Sequence, residues 1–228
     1  ELMAMDIGVE RHVRRITDDD ICNSFLDTVY HCERPLFRTA PAPLYHLSNL
    51  VRKHGTKVVL TGEAADEILY GYDSYKELKI FDFWDKNRAS HFRPLLIRRL
   101  YPHLRHFRDE RQFGLMRMFY EGFLDSYKNE LAGLNIRSSN NSILIKYINK
   151  DLNIAPDNLN LIEKVKNVLP ENSSSWTLLQ RNQFLEMKTL LSGYLLSSQG
   201  DRMSLAHGVE GRYPFLDHRL VDAVFNYE

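Results

Sequence analysis

Apolar positions along the chain fall at two spacings, and together they predict an alternation of helices and strands. Leu2, Met3, Met5 and Ile7 crowd together and Gly8 follows, which reads as the end of a helix over residues 1–8. Glu10–Ile16 (ERHVRRI) is short, carries Val13 and Ile16, and predicts a strand. Thr17 precedes three aspartates and then Ile21, Phe25, Leu26 and Val29. A capping hydroxyl, acids in the first turn and helical spacing predict a helix there. His31–Pro43 is proline-rich and reads as a loop, and Leu44–His54 is again helical, ended by Gly55. Lys57–Leu60 (KVVL) is a continuous apolar run, as expected of an interior parallel strand. It leads into Thr61–Glu67 and a further helix. This order predicts an α/β fold with an open parallel sheet covered on both faces. Ligands of such sheets bind at the carboxyl ends of the strands, where Thr61–Asp66 falls.

Residues 74–190 read differently. Helical patches such as Pro94–Phe107 and Phe113–Tyr127 dominate, with polar loops at Arg137–Asn141 and Pro170–Ser175, so a large helical extension is expected. Residues 176–228 are helical around a loop at Gly208–Pro214. The chain of 228 residues is 43% hydrophobic and 26% charged, enough for a proper core. Lys+Arg and Asp+Glu are 30 each, so no global charge favours nucleic acid or an anionic membrane. The basic run Arg93–Arg108 is then a solvated helix face. Two cysteines, Cys22 and Cys32, form no disulfide framework and suit a reduced, cytoplasmic setting. No apolar run reaches the ~18 residues of a membrane span. The charged opening is unlike a signal peptide, and the start at Glu1 is expected of an excised domain. The nine histidines lack metal-ligand spacing.

The chemistry concentrates at the end of the apolar run. Gly62 allows close backbone approach to a ligand. Glu63 and Asp66 are three apart and share a face if a helix begins there, which suits a magnesium ion bridging phosphate oxygens. The competing reading is two first-turn acids that satisfy the helix dipole. Glu210 and Arg212, with Asp217, read as a buried pair that fixes a loop.

Val58–Tyr75 (VVLTGEAADEILYGYDSY) resembles the asparagine synthetase signature V-L-S-G-E-G-A-D-E followed by G-G-Y. Gly200–Val224 (GDRMSLAHGVEGRYPFLDHRLVDAV) resembles the second signature of that family, and Val29–Lys53 resembles its Glu-Pro loop and P-L-Y-x-L-S helix. The resemblance implies an adenine-nucleotide α-hydrolase-like (ATP pyrophosphatase) parallel sheet with a large helical extension. Residues 1–75 would be a partial nucleotide-binding core, and 76–228 the extension with the second signature, packed on the same domain. It implies a ligase forming an amide from ATP through an acyl-adenylate, aspartate to asparagine with glutamine-derived ammonia. Thr61 and Gly62 would lie against ATP, Glu63 and Asp66 would be catalytic and handle Mg2+, and Arg38 and Thr39 would meet the substrate. The implied partners are a small carboxylate and an N-terminal glutaminase domain of the parent chain, with a homodimer left open. The sequence departs from the family at Ala64 (usually Gly), at Tyr70-Gly71-Tyr72 (usually Gly-Gly-Tyr), and at Ser192–Arg202, where a family carboxylate is replaced and only Asp201 remains. FRTAPAP at Phe37–Pro43 departs from the asparagine-making version, so amidation of another carboxylate, as in β-lactam-forming or peptide-tailoring relatives, is the alternative. A non-catalytic fragment is the other. The family's S-G-G-x-D-S phosphate loop would lie upstream of Glu1, so residues 1–228 alone are expected neither to bind ATP tightly nor to hydrolyse it.

Overall fold

A computed structural model describes residues 2–107, 109–129, 131–134, 136–139, 147 and 161–227. The helices are α1 (Leu2–Asp6), α2 (Asp18–Cys32) and α3 (Pro41–Lys53), followed by strand β1 (Val58–Leu60). Next come α4 (Ala65–Ile68), α5 (Asp73–Asp85), α6 (Phe113–Glu121), α7 (Leu161–Lys166) and α8 (Leu178–Glu186). A run of wide π-type turns, Met187–Asp201, continues α8 into α9 (Arg202–Leu205), strand β2 (Glu210–Arg212) and α10 (His218–Phe225). The chain forms two compact units, 1–64 with 190–228 and 65–189.

The first unit holds the small sheet. β1 and β2 are parallel, with Val58 opposite Glu210 and Leu60 opposite Arg212. The expected parallel strand exists, yet it is not interior: the described sheet has two strands, and Leu60 is 76% exposed. An apolar run is buried only where neighbours cover it, and here one side of β1 is open. β2 lies within the expected loop at Gly208–Pro214. Its sequence, Glu-Gly-Arg, has no apolar residue to announce a strand. The expected strand Glu10–Ile16 is irregular. Four of its seven residues are charged, Val13 stays exposed, and Arg14 reaches Asp20 at 3.0 Å instead.

α2 begins as its sequence dictates. Thr17 Oγ1 accepts from the Asp20 N–H, and the Asp20 carboxylate accepts from the Thr17 N–H, closing a capping box. Its buried positions are Ser24, Thr28 and Cys32, spaced by four, while Leu26 is 81% exposed. The polar face is buried because it is threaded by hydrogen bonds. His46 Nε2 lies 3.0 Å from Ser24 Oγ, and Thr28 Oγ1 donates to the Ser24 carbonyl at 2.8 Å. The loop between α2 and α3 is shorter than expected, because Pro41 serves as a first-turn residue of α3. Gly55 leaves α3 at φ +77, in the left-handed region that favours glycine.

The second unit has the larger apolar core. Leu78, Phe81 and Trp84 of α5 pack with Ile97, Leu100, Tyr120 and Tyr127. Pro94–Phe107 is not one helix but two 3-10 segments, Arg93–Arg99 and Arg105–Phe107. Two of their arginines stack on rings: Arg93 lies 4.5 Å over Phe83, and Arg98 4.8 Å over Phe113. Arg108 lies outside the described residues, as do Asn140 and Asn141 of the expected polar loop, whereas Arg137 to Ser139 are helical. Pro170–Ser175 forms a 3-10 turn over Glu171–Ser175. Glu77 is buried and accepts hydrogen bonds from Tyr101 (3.0 Å) and Tyr120 (2.8 Å), and burial raises its carboxyl above the usual range.

Candidate functional site

In the first unit both strands end at one edge, so Thr61 and Tyr213 leave the sheet side by side. The Thr61 N–H extends the ladder to the Arg212 carbonyl at 2.9 Å. Its hydroxyl is buried and has no hydrogen-bond partner. Gly62 follows with open space before it: a Cβ placed there meets no atom within 4 Å. The fold itself therefore does not require glycine here, and a ligand lying against the backbone would. Glu63 is partly buried, and its charge acts on Tyr213. The Tyr213 hydroxyl donates a short hydrogen bond to Asp201. Burial first, and then Asp201, push that phenol above its usual range. Tyr213 lies tight over two glycines: a Cβ on Gly211 would meet its hydroxyl at 2.9 Å, and one on Gly200 at 3.2 Å. The glycines of the second signature thus have a packing reason.

Arg38 is exposed in the loop before α3. It is held over the rings of Tyr194 (4.8 Å) and Phe37 (5.5 Å), and it bonds Gln199 Oε1 at 3.1 Å. Stacking fixes the guanidinium without burying it, a disposition suited to an incoming carboxylate. Thr39 is exposed beside it in sequence.

In the second unit, α4 begins at Ala65, after Glu63, so the two carboxylates do not share a helical face as the spacing had suggested. Asp66 is exposed in the first turn of α4. Gly71 folds back onto it: the Gly71 N–H donates to the Asp66 carbonyl at 2.8 Å, and a Cβ at Gly71 would lie 2.0 Å from Asp66 Oδ1. Glycine leaves that carboxylate in place. Sequence reading passed over Glu67, which is buried and accepts the Tyr72 hydroxyl at 2.6 Å. Gln183 braces this turn from α8, donating from Nε2 to the carbonyls of Glu67 (2.8 Å) and Ile68 (3.1 Å). The aromatic residue five positions after Glu67 was the available signal. The two departures from the first signature, Ala64 and Tyr70, adopt φ +76 and +57. Both stand where glycine is at ease.

The second-signature pair also differs from expectation. Glu210 and Arg212 bond at 2.9 Å, but both side chains are more than half exposed, so the pair is not buried. Asp217 instead caps α10, accepting from the Arg219 N–H and guanidinium. That pairing holds its carboxyl well below the usual range.

The donor set has limits that define what it could hold. Among the described residues no group of three His, Cys, Asp or Glu side chains is arranged to hold a metal. The partner-free Thr61 hydroxyl and the open approach at Gly62 suit an anionic group at the sheet edge. Glu63 and Asp66 each suit a magnesium ion that keeps waters and phosphate ligands, not an all-protein cage. No described helix is long and apolar enough to cross a membrane.

The asparagine synthase family model matches residues 1–228. Amidase chyE of Penicillium rubens is 26% identical, over 96% of this chain and 33% of its own length. Glutamine-hydrolyzing asparagine synthetase 1 of Bacillus subtilis is 28% identical, over 96% of this chain and 32% of its own. A probable asparagine synthetase of Schizosaccharomyces pombe is 38% identical over 27% of this chain. The chain spans about a third of the length of the first two. No solved structure matches it.

Proposed function

The chain belongs to the asparagine synthase family, and from that premise we propose that it is part of an ATP-dependent ligase that turns a carboxylate into an amide through an acyl-adenylate. The observation that carries this reading is the edge of the sheet, where Thr61 keeps a buried hydroxyl without a partner and Gly62 leaves its approach open. On this reading the sheet is the partial core of an ATP pyrophosphatase fold. Magnesium supplies charge neutralisation on the phosphates, and Glu63 and Asp66 offer it carboxylates. Thr61 donates its hydroxyl to the nucleotide, and Gly62 lets the nucleotide lie against the backbone. Arg38 orients the substrate carboxylate, with Thr39 beside it. Ammonia comes from a glutaminase domain elsewhere in the parent chain, as the names of several relatives suggest. Displacement at phosphorus asks mostly for positioning and charge neutralisation, which these groups can provide.

Aspartate is the first candidate substrate, from the relatives named asparagine synthetase. A different carboxylate is favoured by a specific observation: the FRTAPAP loop carrying Arg38 departs from the asparagine-making version, and two relatives are named amidases. In the whole protein, Asp66→Asn is expected to slow carboxylate-dependent pyrophosphate release from Mg-ATP by roughly a hundredfold, about 3 kcal/mol of transition-state stabilisation. Release at the wild-type rate would remove Asp66 from the machinery.

A further inference from the structure

The second unit contains an open groove that the amidation reading does not use. It measures about 540 Å3, within the range of small-ligand sites. Its apolar wall is built by Ile80 of α5, Leu96 of the 3-10 helix Arg93–Arg99 and Leu100 just after it, and Leu179 of α8. Among the described residues its charged lining is Lys76, Lys79 and Arg99, all cations, with no carboxylate. Spacing explains why they meet: Lys76, Lys79 and Ile80 share one face of α5 at i, i+3 and i+4, and Leu96 and Arg99 eclipse each other at i and i+3 of a 3-10 turn. Lys76 is paired with Asp73 at 2.7 Å, whereas Lys79 and Arg99 make no ion pair among the described residues. Tyr75 belongs to the wall, and its hydroxyl is buried without a hydrogen-bond partner.

An open apolar groove edged by two exposed cations that make no ion pair among the described residues, with a spare buried hydroxyl in its wall, selects for one chemistry. A neutral hydrocarbon would leave the cations unused, and a small inorganic anion would leave the apolar wall wet. We infer that this groove binds a carboxylic acid carried on an apolar body, with the hydrocarbon against Ile80, Leu96, Leu100 and Leu179 and the carboxylate between Lys79 and Arg99. The inference rests on the second unit alone and stands whether or not the amidation reading holds.

Calorimetric titration of the protein with decanoate, with decanol and inorganic phosphate as controls, tests it. Saturable decanoate binding is expected near or below about 1 mM, with neither control binding comparably. Lys79→Gln/Arg99→Gln changes two exposed side chains, so folding should survive, and decanoate affinity should fall at least about tenfold, since each lost charge-assisted contact weakens binding. Leu96→Trp, which fills the groove, should abolish binding while leaving the circular dichroism spectrum intact. Equal binding of decanol, unchanged affinity in either variant, or no saturation by decanoate would overturn the inference.

Discussion

At the scale of single residues, the turn after β1 shows where side chains are dictated by backbone geometry. Ala64 and Tyr70 hold left-handed φ values, at a cost of roughly 1–2 kcal/mol each relative to glycine. Gly71 has less latitude, because a methyl there would push the Asp66 carboxylate aside and sit 3.1 Å from the Asp66 Cα. Gly71→Ala should therefore destabilise the protein by about 2 kcal/mol, read as a lower urea midpoint. Gly62→Ala should leave that midpoint within about 0.5 kcal/mol, since nothing surrounds it, yet weaken Mg-ATP binding by the whole protein if the nucleotide lies there. Tyr72→Phe strips the buried Glu67 carboxylate of its 2.6 Å donor, and a cost of about 1–3 kcal/mol should appear in the same urea measurement. These roles were partly legible. The signature pointed to Gly62, Glu63 and Asp66, but a linear motif does not say that Gly71 is fixed by contact or that Glu67 is the buried carboxylate.

At the scale of elements, local signals read well and burial read poorly. The capping box at Thr17 follows from side-chain chemistry within three residues, so it was visible in the sequence. β2 was not visible, because a strand of Glu-Gly-Arg exists only through its pairing with β1, 152 residues away. The buried face of α2 was misread because hydrogen bonds, not apolar side chains, fill it. A contact between α3 and the turn after α9 makes stability depend on pH. His207, whose Nδ1 lies 2.8 Å from Ser48 Oγ, has a pKa lowered by burial first and then by His31, His46 and Lys53. The unfolded chain takes up that proton more readily, so stability is full above the unfolded value near 6.5 and declines as pH falls below it. Urea midpoints at pH 7.5 and 5.5 should show the drop, and His207→Gln should flatten it. Asp20 acts in a separate, more acidic window. Its carboxyl is held down to about 2 by the Thr17 N–H first, so its cap contributes above pH 3.8 and is lost as pH falls through about 2.

At the scale of the whole molecule, the family and the α/β character were legible from two long signatures, while the division of the chain was not, because residues 190–228 rejoin residues 1–64 in space and not in sequence. The open side of β1 presents Leu60 to solvent. Leu60→Lys should raise the concentration at which the chain aggregates, in light-scattering titrations, without lowering its urea midpoint, since a 76% exposed side chain contributes little buried area. The pairing of two strands so far apart also orders events on the ribosome. β1 emerges early and must wait for β2, roughly 8–30 s later at about 5–20 residues per second. The intervening unit, with its own core, is complete before the sheet can close, so a nascent chain halted before Glu210 carries a finished insert and an unpaired strand.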